Sequence, residues 1–71
     1  MKIAFVLFDG FSAFDFASLY EPLTQLKTLG FSPDLTWNLC SLTHTVRDAQ
    51  GLAYPISAES GSLSGYDLVV I

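Results

Sequence analysis

The sequence predicts an α/β fold in which a parallel sheet is flanked by helices, with elements in the order β-α-β-(β-β)-β. The apolar run over residues 3–8 is rich in β-forming residues, which is typical of a strand that is buried on both faces. Asp9 and Gly10 interrupt this run as a turn does, and apolar residues at helical spacing follow. A second fully apolar run, over residues 68–71, predicts another strand of the same kind.

The first strand, at about residues 2–8, is expected to lead directly into a helix. Ser12 stands three residues before Asp15, the spacing of a capping box, so Asp15 is expected in the first helical turn. Ligands of open α/β sheets bind in the crevice outside the carboxyl ends of the strands, so the spacing predicts a carboxylate at that crevice. One face of the helix is expected to be apolar and to consist of Phe16, Leu19, Leu23 and Leu26.

Pro22 predicts that the helix forms in two stages, because proline is tolerated in a first turn and clashes deeper in a helix. Ser18 and Glu21 repeat the capping-box spacing just before it, so the main helix is expected to restart near Ser18. Lys27 suits the negative end of the helix dipole, and Gly30 is the expected C-cap.

The second half of the chain predicts a strand, a hairpin and a loop before the last strand. Apolar and polar residues alternate over residues 34–42, which indicates a strand. Residues 43–56 are expected to form a hairpin that turns at residues 48–51, and Pro55 confines its second arm, residues 52–56, to a sheet edge. The stretch 57–65, rich in Ser and Gly, is expected to be a loop with at most one helical turn.

The size of the chain allows one small domain, because it has 71 residues, of which 51% are hydrophobic. A single predicted helix covers only one face of a parallel sheet. We therefore expect either a partner surface, so that the segment associates by itself, or a chain that is the N-terminal part of a larger α/β domain.

The charge pattern argues against several partners. Lys2, Lys27 and Arg47 are the basic residues of a chain with net charge −4, and they form no cluster, so direct nucleic-acid contact by this segment is not expected. A single cysteine excludes an internal disulfide. The apolar N-terminal run is too short to span a membrane, and a cytoplasmic location is expected by elimination.

Several segments resemble a known family when they are taken in order: the strand 2–8, Asp9-Gly10, Phe14-Asp15-Phe16, Tyr20-Glu21-Pro22-Leu23, Trp37-Asn38-Leu39-Cys40, residues 46–51 and residues 66–71. They look like the opening of the DJ-1/PfpI superfamily of class I glutamine amidotransferase-like domains. The most similar branch contains isonitrile hydratases and the sensor domains of AraC-type regulators. The resemblance implies a flavodoxin-like fold, of which residues 1–71 are the N-terminal portion of a single domain.

The resemblance also implies a function. The nucleophilic cysteine of the family would lie on a strand-to-helix elbow beyond Ile71, so the chain carries at most half of a catalytic pair. The intact domain would be a cysteine-dependent small-molecule hydratase or hydrolase with Asp15 as acid/base partner. Alternatively, it is a ligand-sensing or dimerisation domain of an AraC-type regulator, or a fragment without activity. The expected partners are a small molecule and further copies of the chain, and no cofactor is expected.

Three residues are predicted for the site, and each has a structural alternative. Asp15 is the predicted catalytic residue, although the residue pattern alone favours a helix N-terminal carboxylate that faces the dipole. Gly10 is expected either to bring its amide close to substrate or to be an ordinary turn glycine. Glu21 is expected to belong to the second capping box or to support the site.

Two further residues invite a chemical role that the pattern does not favour. Cys40 lies in an alternating strand, where a buried structural thiol is expected instead of a reactive one. His44 has no second ligand nearby, and a metal site needs three or four donors, so no metal is expected.

Overall fold

The computed structural model describes residues 1–59 and 63–71 and has the predicted α/β architecture. In this part of the chain the elements are β1 (Lys2–Val6), α1 (Ala13–Thr28), β2 (Thr36–Ser41), β3 (Thr45–Arg47), β4 (Ala53–Pro55), β5 (Ala58–Glu59) and β6 (Leu68–Val70). The predicted fold class is confirmed, and the predicted strands differ from the observed ones by one or two residues at their ends.

The main sheet is parallel, and its strand order in the described residues is β5-β2-β1-β6. Ile3 lies between Trp37 and Leu68 in the register, and Phe5 lies between Leu39 and Val70. The first strand is therefore central, with a later strand on each side, as in doubly wound α/β sheets. This explains the apolar run of β1, because a central parallel strand has neighbours on both edges and both faces.

Strand β5 lies within the stretch that the sequence predicts as a loop. Ser57 makes hydrogen bonds to both backbone groups of Leu39: its Oγ accepts from the amide at 2.9 Å, and its own amide donates to the carbonyl at 3.0 Å. This alignment brings residues 58 and 59 beside Cys40 and Ser41. Residues 60–62 of the same predicted loop lie outside the described part of the chain.

Helix α1 is continuous from Ala13 to Thr28, so the predicted restart near Ser18 is wrong. Ser12 is the N-cap, and its Oγ accepts a hydrogen bond from the Asp15 amide at 3.2 Å. Ser18 instead donates its Oγ to the carbonyl oxygen of Asp15 at 2.7 Å, which is a contact within the helix. Pro22 is tolerated because side chains on both sides of it, Tyr20 and Leu23, hold the helix against the core.

The helix ends one residue earlier than predicted, because Leu29 and not Gly30 is the C-cap. Gly30 is the next residue and has φ +84°, a conformation that favours glycine after a helix. The Gly30 amide donates to the carbonyl of Lys27 at 3.1 Å. None of the helices in the described residues combines the length and the apolar character that a membrane crossing requires.

The core lies between α1 and one face of the main sheet. Ile3, Phe5 and Leu35 are almost fully buried, and partly buried residues surround them: Phe16, Tyr20, Leu23, Trp37, Leu39 and Val70. The helix face that packs on the sheet includes Tyr20. The predicted face instead includes Leu19 and Leu26, which are both exposed. The Tyr20 ring centroid lies 5.2 Å from that of Phe5, and the Tyr20 hydroxyl accepts a hydrogen bond from Trp37 Nε1 at 3.2 Å.

The opposite face of the sheet is partly covered by Tyr66. Because side chains alternate along a strand, Asn38 and Cys40 lie on the face away from the helix. Asn38 Nδ2 donates to the Tyr66 hydroxyl at 2.8 Å, and Lys2 Nζ lies 4.7 Å from the Tyr66 ring centroid. Large apolar side chains remain exposed elsewhere, among them Phe14, Leu29, Phe31 and Ile71. The partner surface expected from the sequence stays a prediction.

Strands β3 and β4 form the predicted hairpin, with Val46 opposite Tyr54 in an antiparallel register. The hairpin contacts the connection between β1 and α1. Gly10 donates its amide to the Arg47 carbonyl at 2.8 Å, and Ala49 donates its amide to the Phe11 carbonyl at 2.8 Å. The hairpin thus fixes the turn from which the helix begins.

Candidate functional site

A groove of about 210 Å³ lies where the carboxyl ends of β1 and β6 meet the first turns of α1. This is the crevice that the sequence predicts as the ligand site of an α/β sheet. Most of the lining is apolar, and its polar side chains are Ser12 and Asp15. The lining residues are Phe5, Val6, Leu7, Phe8, Phe11, Ser12, Asp15, Phe16, Leu19, Val70 and Ile71.

Asp15 lines this groove from the third position of the helix. Its amide is held by the Ser12 cap and its carbonyl oxygen by Ser18, which fix the backbone. Within residues 1–59 and 63–71, no side chain or amide donates a hydrogen bond to the Asp15 carboxylate, which is solvent-exposed. The carboxylate is therefore available to a ligand. Its place in the first turn equally fits a favourable interaction with the helix dipole, and a catalytic role stays a prediction.

Gly10 lies in the turn before the groove and has φ +86°, so the conformation accounts for glycine there. Its amide is donated to the Arg47 carbonyl at 2.8 Å, and the Arg47 amide is donated to Asp9 Oδ1 at 3.0 Å. The structural role of a turn glycine is thus satisfied. While the bond to Arg47 is in place, the Gly10 amide is not a free donor for an oxyanion, and contact with substrate stays a prediction.

Glu21 is exposed on α1 and does not line the groove. The second capping box that would explain it does not form, because Ser18 is inside the helix. Its carbonyl oxygen accepts a hydrogen bond from Thr24 Oγ1 at 3.2 Å. A supporting role for the Glu21 carboxylate stays a prediction, because this carboxylate does not line the groove.

Cys40 is buried, as predicted, with 2% of its surface exposed. Its Sγ lies 3.7 Å from the Tyr66 hydroxyl and 3.8 Å from the carbonyl oxygen of Asn38. Both contacts are on the sheet face away from α1, so this thiol is not beside the groove. Among the described residues, no cluster of His, Cys, Asp and Glu could hold a metal ion; His44 contributes a carbonyl that accepts from the Ile56 amide at 2.9 Å.

The Asp48 carboxylate holds the hairpin turn through several hydrogen bonds, whereas the sequence predicts Asp48 only as a member of that turn. It is 6% exposed. Its Oδ1 accepts from the amides of Gln50 and Leu52 at 2.9 and 3.0 Å, and its Oδ2 accepts from the Tyr54 hydroxyl at 3.1 Å. The signal was present, because an Asp at the start of a turn that ends in glycine typically bonds to the amide two residues on.

The pKa values of this pair follow from the same contacts. Desolvation alone would raise the pKa of Asp48, but the hydrogen bonds from Leu52, Gln50 and Tyr54 outweigh it, and the pKa lies below 3.8. Desolvation and the negative charge of Asp48 raise the pKa of Tyr54 above 10.0. The charged carboxylate and the neutral phenol are thus the forms that the fold stabilises.

Tyr54 links this turn to the groove. Its ring centroid lies 4.8 Å from that of Phe11 and 6.0 Å from that of Phe16, and both phenylalanines line the groove. The hairpin therefore supports one wall of the site without contributing lining residues of its own.

Comparison with known proteins gives one similar structure. No family model and no curated protein matches this sequence. The chain is similar to a solved AraC family transcriptional regulator from Pseudomonas putida, with a TM-score of 0.80 and 23% sequence identity. The match covers 96% of this chain and 43% of that regulator, so the chain spans less than half of its length. At this identity the similarity shows a shared fold, and membership of the DJ-1/PfpI superfamily stays a prediction.

Proposed function

We propose that residues 1–71 belong to a ligand-sensing domain of an AraC-type transcriptional regulator. The observation that carries this proposal is the similarity in fold to a regulator of that family over 96% of the chain. The apolar groove at the carboxyl edge of the sheet supplies a place for a small molecule. In this function Asp15 contacts the ligand at the groove, Gly10 shapes the turn beside it, and Glu21 lies exposed outside the groove.

DNA contact is assigned to residues outside this segment. The three basic side chains lie apart and each has a partner: Lys2 Nζ lies over Tyr66, Lys27 Nζ lies 5.8 Å from the Trp37 ring centroid, and Arg47 Nη1 donates to the Gly51 carbonyl at 2.8 Å. A phosphate backbone requires clustered Lys and Arg. The segment would therefore bind the ligand or another copy of the chain, and the protein would work in the cytoplasm, where bacterial DNA is reached.

Association of copies is part of the proposal. Phe14 and Phe31 are 82% and 78% exposed, and such side chains are typical of a surface that another protein covers. A dimer would allow a regulator to address two DNA half-sites.

A second candidate function is a cysteine-dependent small-molecule hydratase or hydrolase of the DJ-1/PfpI type. The observation in its favour is the Asp15 carboxylate, which lies at the carboxyl edge of the sheet without a partner among the described residues. A carboxylate in that place would exchange a proton with a thiol that further polypeptide brings beside it. Cys40 does not supply that thiol, because it is buried on the other face of the sheet.

One experiment separates the two functions. The protein is purified from the cells that make it, with any polypeptide continuous with residues 1–71, and its intact mass is measured. Gel-shift assays on genomic fragments, with and without a small-molecule extract, then test DNA binding, and isonitriles test turnover. The regulator function requires specific DNA binding that the extract changes. Turnover that thiol alkylation abolishes, in a protein without specific DNA binding, supports the enzyme and overturns the regulator.

A further inference from the structure

We infer that the groove takes a small primary amine that carries an aryl or short alkyl group, with its ammonium on Asp15 and its apolar part among the phenylalanines. This inference rests on the proposed ligand-sensing function and names the ligand class. It is carried by the combination of one carboxylate and four aromatic rings in one lining: Phe5, Phe8, Phe11 and Phe16.

The aromatic rings favour a cation as well as an apolar group. Phe16 lies edge-on to Phe5 and to Phe11, with centroid distances of 5.9 and 5.8 Å, so the rings form a fixed cluster at the base of the helix. The faces of aromatic rings carry partial negative charge and attract ammonium groups within about 6 Å. An amine whose ammonium lies on Asp15 and within that distance of a ring face would gain from both features of the lining, whereas an uncharged hydrocarbon gains only from the apolar area.

The charge of the lining argues against anions. Among residues 1–59 and 63–71, Asp15 is the charged residue of the lining, and Lys2, Lys27 and Arg47 lie elsewhere with contacts of their own. A carboxylate or phosphate ligand would meet a negative charge in a chain whose net charge is −4. A neutral ligand without a hydrogen-bond donor would partly desolvate the Asp15 carboxylate without compensation, and a neutral alcohol would give it a hydrogen bond but no ion pair.

The size of the groove limits the apolar part. Its volume of about 210 Å³ is below the range of roughly 300–1,000 Å³ that is typical for drug-sized ligands. One ring or a short chain fits this volume. We therefore choose 2-phenylethylamine as the probe, with 2-phenylethanol as the neutral analogue and 3-phenylpropanoate as the anionic one.

Calorimetric titration of the intact protein at pH 7 tests the ligand class. The amine is expected to bind about tenfold more tightly than the alcohol, and the propanoate more weakly than either. Raising the ionic strength from about 0.05 to about 0.5 M is expected to reduce the advantage of the amine, because the carboxylate is exposed. An amine that binds less than about threefold more tightly than the alcohol overturns the inference, since neither the ion pair nor the rings then contribute.

Two variants place the effect on one carboxylate. Asp15→Asn keeps the amide that the Ser12 cap holds and removes the charge, and it is expected to reduce the preference for the amine to the part that the rings contribute. Asp34→Asn is the matched control, because Asp34 is exposed and does not line the groove, and it is expected to keep the preference. Equal preference in the wild type and in Asp15→Asn overturns the inference even if the amine binds.

Failure of this inference is distinguishable from failure of the proposed function. If the alcohol binds as well as the amine and changes DNA binding, the groove is a sensor site and the ligand class is wrong. If the wild type prefers the amine over the alcohol as expected but binds no specific DNA under any condition, the inferred ligand class is retained and the regulator function is wrong.

Discussion

The hydroxyl of Tyr54 donates a hydrogen bond to Asp48 Oδ2 at 3.1 Å, and its ring packs against Phe11 at 4.8 Å between centroids. One side chain therefore connects the buried carboxylate of the hairpin turn to the wall of the groove. Asp48 also holds the amides of Gln50 and Leu52, so the shape of the turn and the position of the wall depend on the same group.

Tyr54→Phe tests this connection, because it keeps the ring and removes the hydrogen bond. The variant is expected to lower the Tm by several degrees, since Asp48 Oδ2 would then be buried without this donor. Thermal unfolding followed by circular dichroism measures the change. Tyr66→Phe, on the other sheet face, is the control: it is expected to leave the NMR signals of the Phe11 ring unchanged, whereas Tyr54→Phe is expected to shift them. A Tm for Tyr54→Phe equal to that of the wild type would show that the bond contributes nothing.

Asp48 also predicts a pH dependence of stability. Its folded pKa lies below the ordinary value of 3.8, so the charged form stabilises the fold above that value. This stabilisation is lost as the pH falls from about 3.8 through the lower folded pKa, because protons then bind the unfolded chain first. Urea unfolding of the wild type and of Asp48→Asn between about pH 2 and pH 6 is the measurement. The difference between their free energies of unfolding is expected to shrink toward low pH, and a constant difference contradicts the assignment.

Phe5 and Phe14 form a matched pair for the core. Phe5 is 1% exposed at the centre of the cluster, and Phe14 is 82% exposed on the same protein. Phe5→Ala is expected to lower the free energy of unfolding by about 3–5 kcal/mol, and Phe14→Ala by less than about 0.5 kcal/mol. If Phe5→Ala does not fold, Ile3→Val provides a smaller change of about 1 kcal/mol at a fully buried site. These values apply to dilute protein, in which the copies are dissociated. A loss for Phe14→Ala that grows with protein concentration would support the proposed association, and equal losses for the two variants in dilute protein would contradict the core position of Phe5.

Ser12 and Ser18 test where the helix begins. Ser12→Ala removes the Oγ that accepts from the Asp15 amide, and the expected loss of stability is about 1 kcal/mol. Ser18→Ala removes only a bond to a helix carbonyl and improves helix propensity, so it is expected to be neutral or slightly stabilising. Denaturant unfolding of both variants gives the comparison. The reverse order, with the larger loss at Ser18, would restore the two-stage helix that the sequence predicts.

The features of the fold that depend on local pattern could be predicted from the sequence. The apolar run at β1, the N-cap at Ser12 and the left-handed glycine just after the helix, Gly30, are each encoded by a few neighbouring residues, and all three are observed. Strand β5 could not be predicted, because it forms by alignment with β2 through Ser57 and Leu39, which are distant in the sequence.

The candidate site also has features that could be predicted from the sequence and features that could not. The position of Asp15 at the carboxyl edge follows from a strand, a turn and a cap, and it was predictable. The hydrogen bond from the Gly10 amide to the Arg47 carbonyl could not be predicted, because it joins residues that are 37 positions apart and forms only when the hairpin docks. Asp48 was missed because a turn residue is expected at the surface, whereas it is 6% exposed and accepts a hydrogen bond from Tyr54 on the other arm of the hairpin.

Pro22 shows tertiary packing overriding a local preference, and it gives the last prediction. A proline inside a helix is about 3 kcal/mol less favourable than alanine, yet α1 continues through it because Tyr20 and Leu23 are held in the core. Pro22→Ala restores the missing amide, and after the added entropy of the unfolded chain it is expected to stabilise the protein by about 2 kcal/mol. Pro33→Ala is the control, because Pro33 lies in the turn after the helix, where losing the ring is expected to cost about 0.4–1 kcal/mol. Chemical denaturation of the two variants should therefore give changes of opposite sign, and destabilisation by Pro22→Ala would mean that the proline begins a helix instead of interrupting one.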